Sequence, residues 1–122
     1  MIYSQNVPPN ESQKVRMEQK MEERKQDYIN NFLYTLEVDE FQKEIIRQKL
    51  NSFFDEKINI LKRPYKRSIE FQEAITSLEN SHFKDIEEMV TKTTMTKIIE
   101  MAQGDFNEKD VLREKRKNKK KN

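Results

Sequence analysis

Leu36-Glu37-Val38-Asp39-Glu40-Phe41-Gln42 is the stretch whose reading divides the chain. One helically spaced apolar pattern ends at Leu36 and another opens beyond Gln42, so the segment reads as a hinge between two helices. Asp39 is placed to N-cap the second helix, because its carboxylate can accept a bond from an orphan amide of the first turn. Gln42, three residues on, can reach back to the cap's own amide, and together they make a capping box with Asp in the Ser/Thr place. Val38 sits just before the cap, where it can pack on the helix's opening turns.

Working downstream, Ile45, Ile46, Leu50, Phe53, Phe54, Ile58 and Leu61 form a wide apolar face, with Lys43, Glu44, Arg47, Asp55 and Glu56 mostly opposite. This helix is expected to carry the core, with Ile46 and Phe53 at its heart. It should end near Lys62, since Pro64 disfavours a helical Arg63 and lacks a backbone donor. Upstream, Met17, Met21, Tyr28, Phe32, Leu33 and Leu36 recur at spacings of three, four and seven behind a Ser12 cap, the stripe of an amphipathic helix. Between them Glu22 to Asp27 is nearly all charged. That part is expected to project from the core or to pack only on another chain.

Beyond Pro64 a third helix is expected from about Tyr65–Ser68 as far as Val90, with a bend or break where Ser77, Asn80 and Ser81 lower its propensity. Thr91 reads as the cap of a fourth helix running to Gln103, with Met95, Ile98, Ile99 and Ala102 inward. Gly104, the one glycine of the chain, suits the left-handed position that closes a helix. The expected fold is therefore all-α, a hairpin or bundle of about four helices over residues 12–104. Residues 1–11, with Pro8-Pro9-Asn10 and no periodicity, are expected to be disordered. So is a basic tail over 105–122.

Composition agrees with thin helices. In 122 residues the apolar fraction is 34% and the charged fraction 38%, a small core for a compact domain. With one Gly and three Pro, sheets with tight turns are excluded. The net charge of +2 is uneven: from Arg113 to Asn122 seven basic residues stand against one acidic, a net +6 that leaves −4 on residues 1–112. No apolar run is long enough to span a bilayer. Met1-Ile2-Tyr3-Ser4-Gln5-Asn6 resembles the end of an export signal joined to a polar mature start, which would place the true start upstream. An ordinary polar N-terminus accounts for it equally well.

Reactive chemistry is sparse. Without cysteine there is no disulfide and no thiolate metal site. His82 has only Glu79 at helical spacing, short of the three or four ligands zinc requires. Glu22-Glu23 and Glu87-Glu88 point to different helix faces and make no catalytic dyad. One glycine cannot build a phosphate-cradling loop. No catalytic, metal or cofactor residues are assigned, and no cofactor is expected. The methionines could form an adaptable binding surface. Met17, Met21, Tyr28, Phe32 and Ile58 are the residues expected to form a client or dimer surface. Asp39, Gln42 and Thr91 are the capping residues.

At the hinge, Leu36-x-Val38-Asp39-x-x-Gln42 resembles the L-x-L-T-x-x-Q motif of small bacterial envelope proteins of the Spy/CpxP type. Val90-Thr91-Lys92-Thr93-Thr94 stands where a second copy would fall, again at a helix start, with Thr94 in place of the glutamine. The chain is also similar in style to small secreted flavobacterial proteins with lysine-rich ends. The resemblance implies a curved helical homodimer in the periplasm that binds unfolded or stress-related client proteins without ATP. It implies neither enzymatic activity nor specific nucleic-acid binding. The alternative from composition is a cytoplasmic helical adaptor, or a nucleic-acid-associated protein, that uses its basic tail.

Overall fold

The computed structural model describes residues 9–65 and 67–120, and among these it is helical throughout with short connections. Five α-helices follow one another: α1 Pro9–Tyr34, α2 Glu40–Lys62, α3 Ser68–Ser81, α4 Lys92–Ala102 and α5 Glu108–Lys120, with a 3₁₀ segment at Lys84–Met89 between α3 and α4. The all-α bundle is as expected, with five helices instead of four.

The hinge folds as its residues dictate. The Asp39 carboxylate accepts from the Gln42 amide at 2.7 Å, and the Gln42 side-chain oxygen accepts from the Asp39 amide at 3.1 Å. The other end of the Gln42 amide donates to the Met89 carbonyl at 2.6 Å, so the capping box also anchors the 3₁₀ segment. Thr91 caps α4, its hydroxyl accepting from the Thr94 amide at 3.1 Å. At the far end of α4, Gly104 takes a φ of 90°. Its amide donates to the Met101 carbonyl at 3.1 Å and the Asp105 amide to that of Glu100 at 2.8 Å, the paired bonds of a Schellman motif.

α1 and α2 form an antiparallel hairpin, in which Asn30 meets Arg47, Gln26 meets Asn51 and Lys25 meets Asp55. α3 returns along α2, with His82 beside Ser52 and Asp85 beside Lys49. The core gathers at the hinge end of this hairpin: Ile29, Phe32, Leu33, Leu36, Ile46, Leu50, Phe53, Phe83, Ile86, Ile98, Met101 and Ala102 form one buried cluster. The expected third helix breaks at Ser81, whose hydroxyl bonds back to the Ser77 carbonyl at 2.7 Å. The tighter 3₁₀ spacing that follows brings Phe83 and Ile86 in line with each other on the core. His82 is a packing residue, its Nε2 2.6 Å from the Ser52 hydroxyl and its ring edge-on to Phe53 and Phe83.

Three expectations are corrected. The disordered N-terminus, placed at 1–11, gives way at Pro9, where α1 already begins; residues 1–8 lie outside the described residues. The tail placed at 105–122 as disordered is α5 from Glu108 to Lys120. Acidic residues stand in its first turn and basic ones follow, in the sense that complements the helix macrodipole, and the Asn107 side chain accepts from the Lys109 amide at 3.1 Å at its start. Val111, 5% exposed, packs inward. Finally, the charged segment 22–27 does not stand apart. Arg24, Lys25 and Gln26 bridge to Glu108, Asp55 and Asn51. No helix among the described residues is long and apolar enough to cross a membrane.

Candidate functional site: an apolar groove along the hairpin

Away from the hinge end the two arms of the hairpin lack a third layer between them. Tyr28 and Met21 on α1 face Phe54, Ile58 and Leu61 on α2 across an open groove of about 880 Å³. Met21 is 66% exposed, Leu61 57% and Ile58 43%, high values for large apolar side chains in so polar a chain. Charged residues form the rims: Lys20, Arg24, Lys57 and Lys62 with Glu18 and Glu22. Lys25 ties the floor together through Asp55 at 3.1 Å.

The groove exists because the apolar face of α2 is wider than one neighbour can cover. Ile46, Leu50, Phe53 and Ile60 are buried. Phe54, Ile58 and Leu61 lie roughly 60–120° round an ideal wheel from that stripe; Phe54 still borders the core, and Ile58 and Leu61 stand largely exposed. They meet α1 where its own apolar positions thin out.

Of the expected surface residues, Met21, Tyr28 and Ile58 come together in the groove. Met17, 62% exposed, lies one turn further along α1. Phe32 does not belong to the surface. It is 2% exposed, buried in the core under the edge of the Phe106 ring at 5.3 Å, because the segment after Gly104 folds back onto α1. Phe54 and Leu61 were missed as surface residues, since a helical pattern marks them as apolar without saying which part of a broad face finds a partner. Wheel arithmetic on the width of that face was the available signal.

One end of the groove is held by a polar clasp. Glu108 at the start of α5 accepts from Arg24 and, at 2.6 Å, from the Asn31 amide, while Lys115 donates to Asn31 Oδ1 at 2.6 Å. The Arg24 hydrogen bond holds the Glu108 carboxyl below the usual glutamate range, against a smaller opposing effect of burial. Burial, assisted by the nearby Glu108 charge, pushes the Tyr28 phenol up. Phe106 meets Tyr28 edge-on at 5.3 Å and closes this end.

The groove offers apolar contact, flexible thioether and aromatic surface, and a mixed-charge rim. It suits an extended or helical apolar segment better than a small polar ligand. Among the described residues no three His, Asp or Glu side chains are grouped to hold a metal ion. No protein-family model, curated protein or solved structure matches the chain.

Proposed function

We propose that this chain is a non-enzymatic helical binding protein of the bacterial envelope, chaperone-like or stress-regulatory, that holds apolar segments of unfolded or stress-related client proteins in the α1–α2 groove. The observation that carries the reading is the concentration of exposed Met17, Met21, Ile58 and Leu61 on the open arms of a hairpin whose other end holds the buried core. Isolated exposed apolar residues are ordinary, but a contiguous set lining a groove marks a surface that meets something. Methionine and lysine-stem contacts adapt to varied partners, as a binder of unfolded chains requires. The envelope assignment and a homodimeric state follow from the hinge's resemblance to the Spy/CpxP type.

Aggregation of a chemically unfolded client, followed by light scattering, tests the reading. The intact chain is expected to suppress aggregation without ATP, and the Met21→Glu, Ile58→Glu double variant to lose most of that effect while keeping its helical content and melting midpoint. Undiminished suppression by the double variant would remove the groove from the function. Fractionation of the producing cells, with the N-terminus of the mature chain read directly, tests the envelope assignment separately.

A further inference from the structure

α5 turns the basic end of the chain into a sorted surface. One stripe of it, Glu108, Val111, Lys115 and Asn118, is spent on α1: Glu108 on Arg24 and Asn31, Lys115 on Asn31 and over the Tyr34 ring at 4.8 Å, Asn118 on the Tyr34 hydroxyl at 3.3 Å. The partners advance together along both helices, so α5 lies lengthwise on α1 and parallel to it. A second stripe, Asp110 and Glu114, turns toward α4, where both line a hollow shared with Lys97 and Glu100. Of the three carboxylates of α5, Glu108 is spent against α1, while Asp110 and Glu114 stay exposed along the flank nearest α4. The remaining arc carries Lys109, Arg113, Arg116, Lys117 and Lys119, all exposed, with Leu112 at its edge, 38% exposed.

We propose that this outward face of α5 is a docking surface for the anionic headgroups of a lipid leaflet, on which the protein lies flat without inserting. The cations are spread along about 15 Å of helix, from the rise per residue. They share one half of a helix already fixed to the body, so their backbone needs no further ordering on binding and only the side chains must settle. Asp110 pairs with Arg113 at 3.4 Å and offsets one of the five charges, so the array carries a net surplus of four at that face. A headgroup plane asks for nothing more than positive charge in a plane. Reading a nucleic acid asks for side chains that reach base edges, and this face holds only Lys, Arg and one Leu, its asparagine being turned inward onto Tyr34. With a single apolar residue it has no face to bury among acyl chains, so the contact is electrostatic. The groove opens on a different stripe of α1, that of Met21 and Lys25, and stays accessible on a docked protein. The proposal is independent of what the groove binds.

Co-sedimentation of the full chain with vesicles tests it. Vesicles of phosphatidylcholine containing a minority of phosphatidylglycerol are expected to bind the chain, those of phosphatidylcholine alone to leave it in solution, and added salt to release it. Replacing Arg116, Lys117 and Lys119 by Gln should weaken binding on the order of 100-fold, from the usual contribution of a basic residue near an anionic surface. Replacing Lys14, Arg16 and Lys20 on α1, an equal loss of charge, should change it only a few-fold. Three outcomes would overturn the proposal: equal binding to the uncharged vesicles, equal losses in the two triple variants, or tighter binding to a DNA duplex at matched phosphate concentration. The α5 substitutions are all at exposed positions, and the salt titration on the unaltered chain gives a readout that needs no variant to fold.

Discussion

The hairpin of α1 and α2 is built very differently at its two ends. At the hinge, five elements converge, and Leu50, Phe53 and Ile98 are completely buried. On the open arms, Met21 and Leu61 have the same helical spacing from their neighbours but remain more than half exposed. The difference lies in what covers each apolar stripe, not in the stripes themselves. α4 and the 3₁₀ segment close over the hinge end, and α3 runs along the other face of α2 where Ile60 is buried, so the side of the arms that faces the groove is left uncovered. A helix pattern is therefore a promise of amphipathicity, and the third dimension decides whether it becomes core or interface.

The largest effect should come from testing that contrast directly. Phe53→Ala removes a ring packed against Phe54, Phe83 and His82 and is expected to cost about 3–5 kcal/mol, enough to lower the melting midpoint of so small a domain steeply or abolish folding. Ile58→Ala, on the same helix, should cost under about 1 kcal/mol in thermal or urea unfolding, since the side chain is 43% exposed. Comparable losses at the two positions would mean that the groove is covered in solution, for instance by a second copy.

Next come the local devices that hold the hinge. Asp39→Ala should cost about 1 kcal/mol, read from the urea midpoint, because an orphan amide of α2 loses its acceptor. Much of this was legible in the residues alone. Asp39 with Gln42, Thr91 before α4, and Gly104 after it each have a side chain or a backbone freedom whose use is settled within a few positions. What was not legible is long-range. Nothing local reveals that Gln42 spends its remaining donor on Met89, or that Phe106 returns to cover Phe32. Nor could composition announce α5, since a lysine-rich segment looks solvated until Arg24, Asn31 and Tyr34 provide a wall for its inner stripe. The site was half legible for the same reason: Met21, Tyr28 and Ile58 were identifiable as apolar on a polar helix, but only the packing separates them from Phe32.

The clasp between α5 and α1 gives a smaller, pH-dependent effect. Glu108 is held below its ordinary value by Arg24, so its contribution is fully present above the usual glutamate range and is lost as pH falls through the lowered folded-state value. Arg24 is largely exposed, and solvent screening keeps the contribution near 1 kcal/mol or less. Melting midpoints of the chain and of Glu108→Gln should differ at neutral pH and converge in acid. A gap that persists unchanged in acid would show that the glutamine acts through packing and not through the charge.

The smallest expected change in stability is the one that bears most on function. Met21 projects from α1 into the groove with most of its surface in water, so Met21→Glu removes little burial and should move the unfolding free energy by no more than about 0.5 kcal/mol. The same substitution sets a carboxylate, beside Glu18 and Glu22, among the apolar side chains that line the groove. An apolar segment entering the groove would then have to strip water from that charge without a partner to replace it, which costs far more than the lost methionine contact. Stability and binding should therefore separate at this position, whereas at Phe53 they fall together. If Met21→Glu leaves stability and client binding both intact, the open arms are merely uncovered; if it lowers stability as Phe53→Ala does, the arms belong to a packed interface and the contrast between the two ends disappears.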